Sequence, residues 1–142
     1  MMWNPPEPNE FFPVVWMIVQ QIPAGKVSTY GQIASMIPPP EGVAPPDYAR
    51  LGSRWVGTAM NNTPDADAIP WQRVINSRGK ISLPPGSPGA HRQRTLLEAE
   101  GIVFDEQGCV DFNVWGWDGP PEAWRAQHGL FTPKALRKPY GP

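Results

Sequence analysis

Residues able to act as nucleophiles, bases or metal ligands are few. The single cysteine, Cys109, stands between Gly108 and Val110 in a stretch that reads as a hairpin, with no histidine near it in sequence. Such a residue is more often a small half-buried side chain than a reactive thiolate, which needs a basic or cationic neighbour. His91 and His128 lack metal-ligand spacing, and the acids are not paired in a way that suggests acid-base work. No glycine-rich loop suited to cradling phosphate is present. The expectation is a chain with no catalytic residue, no metal and no cofactor.

Side chains suited to binding stand out more. In "PWQRVINSRGK", residues 70–80, a tryptophan sits between a proline and two polar residues at the mouth of what reads as a β-hairpin. The turn of that hairpin would be Asn76-Ser77-Arg78-Gly79, with Ile81 opening the return strand. Trp71 could present its indole face to a base, a contact worth about 1–3 kcal/mol, although a buried structural tryptophan is the commoner use. Arg54, placed near the start of a helix, suits a groove or a phosphate and equally a solvent-facing position. Tyr30 could meet a phosphate through its hydroxyl or close the edge of a core.

The elements that must position these residues follow from apolar periodicity and punctuation. Asn9 can cap a first helix whose inner face is Phe12, Val15, Trp16, Val19 and Ile22, with Pro13 near its start and Pro23-Ala24-Gly25 at its end. In "VSTYGQIASMI", Thr29 with Gln32 forms a capping-box pattern before Ile33, Ala34 and Ile37. A proline-rich loop over 38–46 precedes a helix in the second half of "YARLGSRWVGTAMNN", with Val56, Ala59 and Met60 inward and Gly57 permitting close approach to a neighbour. Ser87-Pro88 and Gly101 bracket another helix carrying Leu96 and Leu97, and "IVFDEQGCVDF" reads as a second hairpin about Gln107-Gly108. The expected class is mainly α with small β-hairpins, a winged helix-turn-helix DNA-binding domain. Its expected span is 9–117, followed by a Trp/Pro-rich tail over 118–142 that carries Trp117 at its edge and Trp124.

Length and charge fit one domain. The 142 residues are enough to bury a core, and no run of about 18 apolar residues suggests a membrane span. The start of the chain lacks a signal-peptide pattern, and a lone cysteine fits a cytoplasmic compartment, nucleoid-associated in a bacterium. The formal net charge of −1 argues against broad adhesion to nucleic acid. Between Arg50 and Arg94, however, seven bases face two acids, which suggests either one cationic face or an ordinary solvated surface.

Taken together, "GKVSTYGQIA", "RWVGTAM", "PWQRVINSRGKIS" and "LLEAEG", in that order, resemble the DNA-binding domain of the O6-alkylguanine-DNA alkyltransferases, and more closely the alkyltransferase-like proteins. The resemblance runs over about residues 9–115, with an insertion around 38–48. It implies that Trp71 occupies the place of the alkyl-accepting cysteine and Gln72 that of the assisting histidine, so the chain is no enzyme. It further implies that Tyr30 rotates a nucleotide's phosphate, that Arg54 fills the gap left by the flipped base, and that Gly57 on the same helix admits the minor groove. Trp71 and the Val74 carbonyl would line a guanine pocket, Arg78 in the wing would meet DNA, and Glu100 would be structural. Pro84 stands where some members carry an arginine or tyrosine against the alkylated base. The implied function is a monomeric, non-enzymatic sensor that flips O6-alkylguanine from duplex DNA and flags it for nucleotide excision repair proteins. A winged-helix transcription regulator without lesion specificity is the alternative.

Overall fold

In the computed structural model, which describes residues 4–137, six helices surround one short strand pair. Helix α1 (Pro8–Val19) starts with a proline in its first turn, where a missing N–H costs nothing. Glu7, not Asn9, occupies the capping position, and it contributes no side-chain hydrogen bond there. The buried stripe is Phe11, Val15, Ile18 and Val19, with Ile22 just beyond. Phe12 and Trp16 are rotated to its half-buried edge. At that edge the Trp16 indole donates to the Ala59 carbonyl at 2.8 Å.

Strand β1 (Ser28–Thr29) leads directly into α2 (Tyr30–Met36). Thr29 caps α2 as expected, its hydroxyl accepting from the Gln32 N–H at 3.0 Å. The Gln32 side chain does not complete a capping box. It is fully buried, accepts from the Ser28 hydroxyl at 2.6 Å, and donates to the carbonyls of Trp117 and Lys134 at 2.8 and 3.0 Å.

Helix α3 (Pro45–Met60) is a full turn and more longer than the sequence suggested. Pro45 and Pro46 read as loop, yet they occupy the first turn, where proline is tolerated, and Asp47 there complements the helix dipole. Arg54 consequently lies midway along α3 and not near its start. Its inner face is Tyr48, Leu51, Gly52, Trp55, Val56 and Ala59, while Met60 is half-buried. Phe11, Tyr48 and Trp55 meet at ring-centroid distances of 6.0–6.3 Å, and the Tyr48 hydroxyl donates to the Ala34 carbonyl at 2.9 Å. Close approach of α2 and α3 depends on Gly52, where a Cβ would sit 3.1 Å from the Tyr48 ring and 3.2 Å from the Ala34 Cβ. Gly57, assigned that task from sequence, has nothing within 4 Å of where its Cβ would be.

The first expected hairpin is where sequence and structure part. Strand β2 (Val74–Ile75) pairs in parallel with β1, Ser28 against Val74 and Thr29 against Ile75, and not with a return strand through Ile81. Both Val74 and Ile75 are buried, the signature of a strand covered on two faces. The turn forms as expected: Asn76 N–H donates to the Lys80 carbonyl at 3.0 Å, and its side-chain oxygen accepts from the N–H groups of Arg78 and Lys80. Beyond it, Pro84 and Pro85 offer no donors for a ladder.

Helix α4 (Pro88–Ala99) begins at Ser87, whose hydroxyl accepts from the Ala90 N–H, and ends before Gly101 in a left-handed conformation (φ +93°). The second hairpin is present: Phe104 and Val110 bridge antiparallel around a turn in which the Gly108 N–H donates to the Asp105 carbonyl. Cys109 is half-buried there. Val27, Ile75, Leu97, Ile102 and Val110 form a second core. The chain continues through α5 (Phe112–Trp115) and α6 (Glu122–Gln127), with Trp117 buried and Trp124 packed against the larger core. It then runs back along α2, the Phe131 N–H donating to the Met36 carbonyl at 2.8 Å. No helix of the described residues is long and apolar enough to cross a membrane.

Gly79 ties the Asn76–Lys80 turn, which stands where the wing was expected, to the second hairpin, its carbonyl accepting from the Val110 N–H at 2.8 Å. Its φ is +81°, and a Cβ would fall 2.6 Å from the Val110 carbonyl oxygen. Gly79→Ala is expected to lower the unfolding free energy by at least about 2 kcal/mol in denaturant titration, from left-handed strain plus collision with backbone. Gly57→Ala, in open space on a helix, is expected to raise it by about 0.5–1 kcal/mol.

Candidate nucleic-acid interface

Four segments converge on a cleft of about 580 Å³. Tyr30 and Gly31 enter it from the first turn of α2, where Thr29 sets the helix start. Ser53, Arg54, Gly57 and Asn61 line it from one face of α3, at the spacing that brings successive turns into register. Asn76 and Ser77 come from the wing turn, followed by Ser82, Leu83 and Pro84. The remaining wall is Lys134. The structure thus brings together Tyr30, Arg54 and Gly57 of the expected site. Arg54 is exposed, and its own carbonyl accepts from the Thr58 hydroxyl at 3.1 Å. Gly57 leaves the middle of that wall without a side chain. Ala59, one turn-face away, points into the core.

The other expected residues are placed elsewhere. Trp71 begins a short 3-10 turn, Trp71–Arg73, and lines a neighbouring hollow of about 380 Å³ with Gln20, Asp67 and Arg92. Val74 is buried, and its carbonyl accepts from the Gln93 side-chain amide at 3.0 Å. The same amide group donates to the Gln72 carbonyl at 3.1 Å, so one buried glutamine fixes the backbone on both sides of Arg73. Arg78 stands exposed at the wing tip, outside the cleft. Pro84 is a cleft residue with no polar side chain to offer.

Beneath the Trp71 turn lies a polar hub centred on Glu100, the residue expected to be structural, whose partners the sequence did not announce. Glu100 accepts from the Gly25 N–H at 3.1 Å, from the Gln72 amide at 2.9 Å, and from Arg73 Nε and Nη2, each at 3.0 Å. Arg73 Nη1 also donates to the Ile22 carbonyl at 2.8 Å. Their side chains are only 18% and 13% exposed, so this is a shielded pair in which both carboxylate oxygens accept and all three guanidinium nitrogens donate. Burial alone would push the Glu100 carboxyl up. Hydrogen bonds from Arg73, Gln72 and the Gly25 backbone, with the charge of Arg73, outweigh that and hold it below its usual 4.5.

Arg73 therefore does not belong to a cationic face. The other bases of the middle segment line different hollows: Arg92 lines that of Trp71, while Lys80 and Arg94 line another beside the second hairpin, Arg94 lying 4.5 Å over the Phe104 ring. Arg54 is the base from this stretch that lines the 580 Å³ cleft. Four residues that build the site, Gln32, Arg73, Gln93 and Lys134, were missed as such. Only the Thr29-to-Gln32 spacing carried any signal for one of them.

Because the folded pKa of Glu100 lies below the unfolded value, its contribution is complete above about pH 4.5 and fades as pH falls through the folded pKa. Glu100→Gln is expected to lose about 3 kcal/mol at pH 7, having left Arg73 shielded and uncompensated. Its stability should then fall less steeply than the parent's between pH 5 and pH 2, as followed by denaturant midpoints.

Residues 10–102 match the family domain described as 6-O-methylguanine DNA methyltransferase, DNA binding domain. The chain is 42% identical over 109 residues to a DNA base-flipping protein of Vibrio parahaemolyticus, covering 77% of this chain and 97% of that protein. It is 46% identical over 106 residues to Alkyltransferase-like protein 1 of Schizosaccharomyces pombe, covering 75% and 89%. The solved structure of Schizosaccharomyces pombe Atl1 in complex with damaged DNA containing O6-carboxymethylguanine matches with a TM-score of 0.58 at 36% identity, over 80% of this chain and 97% of that one. With a winged helical core, a cleft between α2, α3 and the wing, and these likenesses, the chain belongs to the alkyltransferase-like branch of the 6-O-methylguanine DNA methyltransferase DNA-binding family.

Proposed function

We propose that this chain is a non-enzymatic sensor of O6-alkylguanine in duplex DNA, which flips the lesion nucleotide and flags it for nucleotide excision repair. The observation that carries the reading is the convergence of Tyr30, Arg54 and Gly57 on one cleft, while the Trp71 turn, which lines a separate hollow, offers no acceptor for alkyl transfer. The relatives named for base flipping and for binding damaged DNA support it.

Extruding a nucleotide costs a few kcal/mol, and the residues offset that in separate ways. Arg54, projecting from α3, fills the vacated stack. The absent side chain at Gly57 lets the helix lie close to the groove floor. Tyr30, held at the start of α2, meets the rotated phosphate. The Trp71 indole supplies a π-face to the flipped guanine. The Val74 carbonyl, accepting from the buried Gln93 amide, holds the strand that leaves the Trp71 turn in place. Arg78 on the wing turn reaches an outer phosphate.

The absence of chemistry follows from the same turn. Trp71 has no thiolate to attack an alkyl carbon, and the Gln72 amide is already donating to Glu100, with no basic nitrogen to take a proton. A bound alkylguanine would therefore persist, a flipped and kinked signal for repair proteins. The sensor is read as a monomer, the cleft residues Tyr30, Arg54 and Gly57 all being supplied by one chain.

Titrating a short duplex with and without one O6-methylguanine tests this. Tighter binding to the lesion with no mass gain on the protein is expected, and equal affinity for both duplexes would sink the reading in favour of a transcription regulator. Arg54→Ala should weaken lesion binding by about tenfold or more, equivalent to about 1.4 kcal/mol. Tyr30→Phe should do so more mildly. Trp71→Ala should narrow the difference between lesion and normal duplex more than it lowers affinity for either.

A further inference from the structure

The matched family domain ends at residue 102, and the chain beyond α6 is not idle. We infer that the C-terminal segment supplies an additional DNA contact, with Lys134 gripping a backbone phosphate on the Tyr30 side of the cleft. This inference rests on the reading of that cleft as the DNA site.

Three observations carry it. First, Lys134 lines the same cleft as Tyr30, Gly31 and Arg54, although it is over a hundred positions from Tyr30 in sequence. Second, its backbone is held at both ends by α2: the Lys134 N–H donates to the Ser35 hydroxyl at 2.9 Å, and its carbonyl accepts from the buried Gln32 amide at 3.0 Å. A lysine on a pinned backbone begins its reach from a fixed point, so less freedom is lost on meeting a phosphate than from a mobile tail. Third, the side chain is exposed, and the chain from Gly129 to Pro142 carries Lys134, Arg137 and Lys138 with no acid. Arg137 is engaged with Asp118, which fastens the segment to the turn before α6, and among the described residues of this segment Lys134 is the charge that lines the cleft. Lysine meets phosphate as a compact point charge, without base-specific geometry. The contact is therefore indifferent to the lesion and adds affinity for the duplex as such.

Lys134→Ala, Lys134→Arg and the parent would be titrated with lesion-containing and undamaged duplexes from 50 to 300 mM salt. Lys134→Ala is expected to weaken both duplexes by the same factor, on the order of fivefold at low salt, and to reduce the log-affinity against log-salt slope by about 1. Lys134→Arg should restore both. Arg54→Ala, in contrast, should change the ratio between the two duplexes. Parent-like affinity and slope for Lys134→Ala, with the parent still preferring the lesion, would overturn the phosphate contact alone. A parent that binds neither duplex would overturn both it and the reading of the cleft.

Discussion

The shielded pair of Arg73 and Glu100 is the constraint around which the site is arranged. One carboxylate collects donors from the loop after α1, from the turn that carries Trp71, and from the guanidinium beside it, and it sits itself at the end of α4. Three segments distant in sequence are thereby fixed to within hydrogen-bond tolerance of one point. An isolated buried charge would be ruinous, and a surface pair would specify little. Here the pair is shielded and bonded in a bidentate geometry, so it specifies the position of the 3-10 turn, and β2 leaves that turn in a fixed direction.

From that direction the rest follows. β2 meets β1 in parallel, and β1 runs without a break into α2, so the start of α2 is set by the same turn that positions Trp71. The larger core then clamps α2 and α3 through Gly52, Tyr48 and Ala34. The cleft is the space left where α2, α3 and the wing cannot all close on one another. Two of its walls, α2 and α3, are helices packed on the larger core, which fixes the points from which Tyr30 and Arg54 project.

Helices were legible because their signals are local: Thr29 and Ser87 at caps, Gly101 at a stop, the four-residue recurrence of apolar side chains. The helical inner faces were read to within one residue of rotation, and Trp16 shows why the last step failed, since its edge position is dictated by an acceptor on another helix. The parallel pairing of Val74–Ile75 was hidden because its partner lies more than forty residues earlier, and a turn sequence as strong as Asn76–Gly79 argues for a local return. Pro45-Pro46 illustrates the opposite error, a first turn mistaken for loop. Tyr30, Arg54 and Gly57 could be picked out through family resemblance. Gln32, Gln93 and Lys134 could not, because an amide or an ammonium acquires its role only from what the fold sets against it.

The buried Gln32 amide has one further consequence. Both of its N–H donors are spent on carbonyls of the C-terminal stretch, at Trp117 and Lys134, and its oxygen is taken by Ser28. Peeling that stretch away would strand two donors beside a fully buried side chain, a penalty of about 1–3 kcal/mol before any lost apolar contact. The C-terminal stretch is therefore not a detachable appendage: it opens together with the strand-helix junction it covers. Hydrogen exchange at α2 and protease access to residues around 130 should report the same event, making the stretch from Trp117 to Lys134 part of the cooperative unit that presents Tyr30.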